Sequence, residues 1–183
     1  MVSRSDDDDG GVGGQSATPL STSGALRPTR ITPGCTPEDE WTAASIWATA
    51  TAQRDNLPSA VAAETRLRGI QQTVRLPGAS LHLAWKGSRP CGFAVLVPRA
   101  ASMEIRYLAT APEAWGTGVG SDLLGHVREH AHMKGFDAVD LWVIDTNTRA
   151  IRLYERCGWL RTDDLKCQLQ TRHIERRFVH RLR

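Results

Sequence analysis

The sequence predicts an α/β (α+β) fold, a mixed and mostly antiparallel sheet with helices on both faces. Apolar runs of strand length recur along the chain, stretches with helical spacing separate them, and a glycine loop joins one such strand to one such helix. A length of 183 residues, 40% of them hydrophobic, suits a single domain large enough to bury a core.

The first 25 residues are set apart by composition. Ser, Gly, Thr and the acidic run Asp6, Asp7, Asp8 and Asp9 dominate, with almost nothing to bury, so residues 1–25 read as a disordered tail and residues 26–183 as the domain. Residues 26–31 then read as a first strand. Thr36 is a helix cap followed by Pro37 and two acids, opening a helix that runs to about Thr49. A second helix is predicted over residues 59–74, bracketed by Pro58 and Pro77. Residues 81–85 and 91–97 form a hairpin pair around Gly87, the latter with the apolar density of a central strand.

Next come a strand beginning at Glu104 and a helix carrying Val119, Leu123, Val127 and Ala131 on one stripe, stopped by Gly135. A strand over residues 138–144 follows. Asn147 caps a helix over residues 148–157, and Gly158 fits its left-handed exit. Two strands, near residues 159–165 and 174–182, close the chain. Ile174, Phe178 and Leu182 share one face of the last strand.

Charge and cysteine usage exclude several classes. Four Asp and one Arg give residues 1–25 a charge of −3, which leaves +6 on the remainder. Arg172, Arg176, Arg177, Arg181 and Arg183 oppose only Glu175, but no aromatic interleaving accompanies them, so nucleic acid is not an expected partner. Cys35, Cys91, Cys157 and Cys167 lack paired spacing and read as reduced thiols. There is no apolar run of membrane-spanning length and no apolar N-terminal leader, so a cytoplasmic protein without a membrane partner is expected.

Gly116-Thr117-Gly118-Val119-Gly120-Ser121 opens the helix after the Glu104 strand. Glycines there let a backbone approach an anion, and the unpaired N–H groups of a helix's first turn, at its positive dipole end, hold the charge. A P-loop would need Lys and then Ser or Thr where Ser121 and Asp122 stand. A dinucleotide fingerprint would need its glycines directly after the strand, and its sixth position here is Ser121.

Glu104-Ile105-Arg106-Tyr107-Leu108-Ala109-Thr110, Pro112-Glu113 and the glycine loop together resemble the acyl-CoA-binding core of the GNAT superfamily of N-acetyltransferases. Leu141-Trp142-Val143, Asn147, Ala150, Tyr154 and Gly158-Trp159 resemble the second half of that core, and the likeness covers about residues 80–160. The resemblance implies a GNAT-like fold and acetyl-CoA as co-substrate. It places the pantetheine arm along Leu108, Ala109 and Thr110 as an added strand. The N–H groups of Trp115, Gly116, Thr117, Gly118, Val119, Gly120 and Ser121 would cradle the pyrophosphate, with Asn147 on the opposite side of the arm. The family usually has Gln or Arg where Trp115 stands, and an indole cannot supply that polar contact.

Acetyl transfer to an amine needs a base, because an alkyl ammonium titrates near about 10.4, and the departing thiolate gains from a proton donor. The resemblance implies Glu104 as base, acting directly or through water, and Tyr154 as the donor near the sulfur. Asp145 is held in reserve. The expected reaction is direct transfer in a ternary complex to a small-molecule or peptide amine. The alternative is a GNAT-like domain that binds acyl-CoA or a partner without turnover, for which Trp115 is the main support. His126, His130 and His132 lie on one helix but lack an HExxH pattern, so no metal is predicted and an ordinary half-exposed helix face is expected. Trp47, Trp85 and Arg106 are candidates for an acceptor wall, and an exposed terminal strand could pair two subunits in a homodimer.

Overall fold

The computed structural model describes residues 28–168 and 172–182, so the predicted tail, and the chain before residue 28, lie outside it. In chain order it contains β1 (Arg30–Gly34), α1 (Pro37–Arg54), α2 (Ala63–Val74), β2 (Ser80–Lys86), β3 (Arg89–Pro98), β4 (Met103–Thr110), α3 (Val119–Met133), β5 (Ala138–Ile144), α4 (Thr148–Arg156), β6 (Leu160–Cys167) and β7 (Ile174–Arg181). A single 3-10 turn, Pro112–Ala114, precedes α3. The seven strands form one sheet in the order β1-β2-β3-β4-β5-β7-β6, in which only β4 and β5 run parallel.

Local signals set several element ends. At α1, Thr36 and Asp39 form a reciprocal capping box with Pro37 in the first turn. The helix continues past Thr49 to Arg54 because Ala48, Ala50, Thr51 and Ala52 stay buried against the core. Conversely, α2 begins at Ala63 rather than Ser59. Residues 57–62 are all exposed and Ala62 offers no side-chain cap, so nothing packs or bonds to hold an earlier turn. β1 is likewise displaced, to Arg30–Gly34.

Adjacent residues of β2 show the layers. Leu81 packs beneath Gly34 near Asp39 at the start of α1, whereas His82 meets His126 of α3 on the opposite face. Helices α1 and α2 therefore cover one side of the sheet and α3, with α4 beside it, the other. The stripe Val119, Leu123, Val127 and Ala131 is completely buried there. Among the described residues no helix is long and apolar enough to cross a membrane.

Two departures from regular pairing position the site. Val95 opposes Tyr107 while Leu96 opposes Ile105, so Arg106 is an extra residue that bulges β4. Beyond that bulge β4 and β5 diverge: they pair only over Met103–Ile105 with Val139–Leu141. The last strand is not a sheet edge, as an intersubunit pairing strand would be. β7 lies between β5 and β6, and the sheet's edges are β1 and β6. Its arginines are drawn into that arrangement, Arg176 on Asp145 at 2.8 Å and Arg177 on Asp140 at 3.1 Å, which leaves less positive surface than the sequence suggests.

Candidate active site

Gly116 and Gly118 are required by backbone conformation rather than by lack of room. Gly116 (φ 75°) and Gly118 (φ 92°) are left-handed, and a Cβ added at either would meet nothing within 4 Å. Gly120 differs: a Cβ there would fall 2.8 Å from Cδ2 of Leu153, so this glycine lets α4 approach α3 closely. The first bond across the helix start runs from the Asp122 N–H to the Gly118 carbonyl, and no side chain caps α3. The N–H groups of Gly116, Gly118, Val119, Gly120 and Ser121 thus have no partner among the described residues. Those of Trp115 and Thr117 are already used, by the Pro112 and Ala114 carbonyls. The β2–β3 hairpin braces the loop, with Lys86 donating to the Thr117 carbonyl at 3.2 Å and Arg89 paired with Glu113 at 2.7 Å.

A cleft of about 390 Å³ opens above these N–H groups. Leu108, Ala109, Thr110, Trp115, Gly116, Gly118, Gly120, Ser121, Asn147 and Tyr154 all line it, bringing together residues far apart in sequence. Val119 and Thr117 do not: the Val119 side chain is fully buried and the Thr117 hydroxyl donates to the Ala114 carbonyl. On β4, the N–H of Ala111 bonds β3 at Cys91, so by alternation Leu108 and Thr110 present their backbone groups to the side that β5 has left.

Trp115 alters this edge without filling the cleft. Its indole N–H donates to the Thr110 carbonyl at 2.9 Å, removing one acceptor from the strand edge. Arg149 lies over the same ring, 3.1 Å from its centroid, and with Arg54 and Arg156 lines the cleft, where no carboxylate does. Burial first, and then the nearby Arg54, lower the Arg149 pKa. Sequence reasoning missed Arg149. An arginine in the first turn of a helix opposes the dipole, and that misplacement was the available signal.

Asn147 caps α4 through Oδ1, which accepts from the Ala150 N–H at 3.3 Å. Its amide nitrogen is left for other contacts. Tyr154 is buried with its ring near Phe178 (5.8 Å) and Trp159 (6.0 Å), and burial pushes its phenol well above the ordinary range. Its hydroxyl makes no hydrogen bond among the described residues.

Glu104 faces a second cavity, of about 710 Å³, which shares Trp47, Thr51 and Arg54 with the first. The carboxylate is 8% exposed and held on both oxygens, by Arg99 (Nε at 2.6 Å) and Arg106 (3.3 Å). Trp47 and Arg106 line this cavity as expected. Trp85 does not, because its indole donates to Thr32. Asp145, the reserve base, bonds Arg176 and Arg161 instead and lines neither cavity.

Of the helix-face histidines, His126 and His130 are half-buried and His132 is exposed. His126 and His130 pack against His82, which is 3% exposed, with His126 Nε2 3.0 Å from His82 Nδ1. Among the described residues no group of His, Cys, Asp or Glu is arranged to hold a metal ion. The four cysteines are free.

The family model described as acetyltransferase (GNAT) family matches residues 42–159, more than half of the chain. Over 58 residues, 32% of this chain and 20% of the other, the chain is 40% identical to a mycothiol acetyltransferase of Thermobispora bispora. It spans between 20% and 28% of the length of the curated relatives it matches. The fold is similar to the ribosomal-protein-S18-alanine N-acetyltransferase of Escherichia coli (TM-score 0.66, 16% identity, 85% of this chain and 94% of that one). It is also similar to a GNAT family acetyltransferase of Elizabethkingia anophelis with acetyl-CoA bound (TM-score 0.62, 19% identity, 84% and 98%).

Proposed function

We propose that this chain, which belongs to the GNAT acetyltransferase family, transfers the acetyl group of acetyl-CoA to a primary amine by direct attack within a ternary complex. The observation that carries this reading is the row of unpartnered N–H groups at the start of α3, continuous with the unpaired edge of β4 and with Tyr154 in the same cleft. Acetyl-CoA is the co-substrate of the family. Here Gly116, Gly118, Val119, Gly120 and Ser121 would hold its pyrophosphate, and Arg149 would supply the cation that Trp115 cannot. Leu108 and the Thr110 N–H would pair with the pantetheine amides, with Ala109 between them and Asn147 opposite. Arg149→Ala should weaken acetyl-CoA binding about tenfold, from the loss of one charge-assisted contact, as read by calorimetry.

The neighbouring cavity takes the amine. Glu104 removes the ammonium proton through water, a route suited to a carboxylate whose two oxygens are already held by Arg99 and Arg106. The free amine attacks the thioester carbon, the nitrogen of the tetrahedral intermediate gives its extra proton to solvent, and collapse breaks the C–S bond and expels the coenzyme A thiolate, which takes its proton from water. Tyr154 stays protonated at neutral pH and donates a hydrogen bond to the departing sulfur.

Release of the coenzyme A thiol over a panel of amines tests this, and binding without release from any amine would favour the non-catalytic alternative. In the same assay Glu104→Gln should lower kcat/KM most at acid pH. There nearly all acceptor is protonated and a base is indispensable, whereas at high pH free amine accumulates and the loss shrinks. Equal loss at every pH would remove Glu104 as the base.

A further inference from the structure

We infer that the acceptor is a small amine bearing its own carboxylate, an amino-acid-like molecule, with that carboxylate seated on Arg66 beside Trp47. This deepens the acetyltransferase reading and rests on it. The cavity beside Glu104 contains three carboxylates, Asp55, Glu104 and Glu175. Each already has a cation: Asp55 takes Arg54 on both oxygens (2.6 and 2.8 Å), Glu104 takes Arg99 and Arg106, and Glu175 takes Lys166 at 3.1 Å. Arg66 also lines the cavity, and it makes no ion pair among the described residues. Its buried Nε has no hydrogen-bond acceptor there.

Arg66 is nevertheless held in place. Its guanidinium lies over the Trp47 ring, 5.1 Å from the centroid, and Trp47 in turn packs on Tyr107 at 4.3 Å. Trp47 also lines the cofactor cleft, so the platform that carries Arg66 borders both compartments. Burial and the nearby Arg54 lower the Arg66 pKa, opposed by Asp55. The guanidinium therefore sits where its charge is poorly solvated.

The charge balance discriminates between classes of amine. A polycation would bring further positive charge to a cavity whose acids are all engaged, and a simple alkylamine would leave Arg66 as it is. An amine with a carboxylate supplies the missing anion while presenting its nitrogen towards Glu104, and a planar guanidinium donates bidentately to a carboxylate.

The test uses the full chain, acetyl-CoA, a panel of L-amino acids and their α-carboxamides, and spermidine and kanamycin as carboxylate-free polycations. The best acids should exceed their own amides in kcat/KM by about 10- to 100-fold, the worth of a hydrogen bond to a charged group. Arg66→Ala should reduce that ratio to near one, and Arg66→Lys should restore part of it. Amides or polycations used as well as the acids, or a preference that survives Arg66→Ala, would overturn the inference. Calorimetric titration of N-acetyl-L-amino acids and their amides, with coenzyme A present, reads the same site without chemistry. Carboxylate-dependent, Arg66-dependent uptake supports the inference even if no amine is turned over, and equal or absent uptake overturns it. Failure of the acetyltransferase reading itself registers separately, as no uptake of coenzyme A.

Discussion

Tyr154→Phe should lower kcat about 100-fold, the lower range for losing one hydrogen-bond donor to charge that develops in the transition state, while leaving acetyl-CoA affinity unchanged. The ring's contacts with Phe178 and Trp159 survive the substitution, so the melting temperature should barely move. Only the hydroxyl is lost, and it has no partner among the described residues that could be left unsatisfied. The phenol's raised pKa gives the sign of the argument: burial disfavours the phenolate, so Tyr154 remains a donor across the neutral range. Full proton transfer to a thiolate, whose parent thiol titrates at about 8.5, is uphill, so in the proposed reaction the group would act by hydrogen bonding to charge as it develops on sulfur. An unchanged kcat with a lowered melting temperature would make Tyr154 a packing residue.

Acidification should unfold the protein more easily between about pH 6.5 and pH 4. Burial, then His126 and His130, depress the His82 pKa from 6.5 to about 4. Burial also lowers His126, opposed by Glu129, and lowers His130, reinforced by His126 and Lys134. In this window the unfolded chain binds protons that the folded chain refuses, so stability is full above pH 6.5 and falls as pH drops towards 4. His82 alone accounts for on the order of 3 kcal/mol, equivalent to roughly 10 °C in melting temperature for a chain of this size. Because His126 and His130 belong to α3, the same protonation should loosen the helix whose first turn is the proposed anion cradle. His82→Asn should flatten the melting temperature between pH 7 and pH 4.5, and a profile as steep as the parent's would refute the assignment.

Features governed by local chemistry were legible in the sequence. The Thr36 cap, the buried stripe on α3, the stop at Gly135 (φ 80°), the Asn147 cap and the exit at Gly158 (φ 78°) each depend on residues within one or two turns. The residues lining the cleft beside α3 lie where a strand end runs into a helix start, and the family resemblance, not local chemistry alone, pointed to them. What could not be read was register and strand order. The Arg106 bulge and the short β4–β5 pairing exist only through partner strands, and the insertion of β7 between β5 and β6 carries no local mark. Those non-local pairings also decide which acids the terminal arginines meet. His82 escaped notice because its partners lie 44 and 48 positions away on a helix read by itself. Arg66 was hidden similarly, within a polar helix whose packing on Trp47 depends on how α1 and α2 meet.

The most direct measurement is a calorimetric titration of acetyl-CoA into the parent protein and Gly118→Val. Gly118 contributes its left-handed backbone and its N–H, and a β-branched residue is strained at φ 92° although its side chain has open space. The parent should take up one equivalent of acetyl-CoA saturably, and Gly118→Val should bind at least about tenfold more weakly, since both cradle geometry and approach to the phosphates are lost. No uptake by the parent at millimolar acetyl-CoA, or equal affinity in the variant, would contradict the placement of the cofactor at the start of α3.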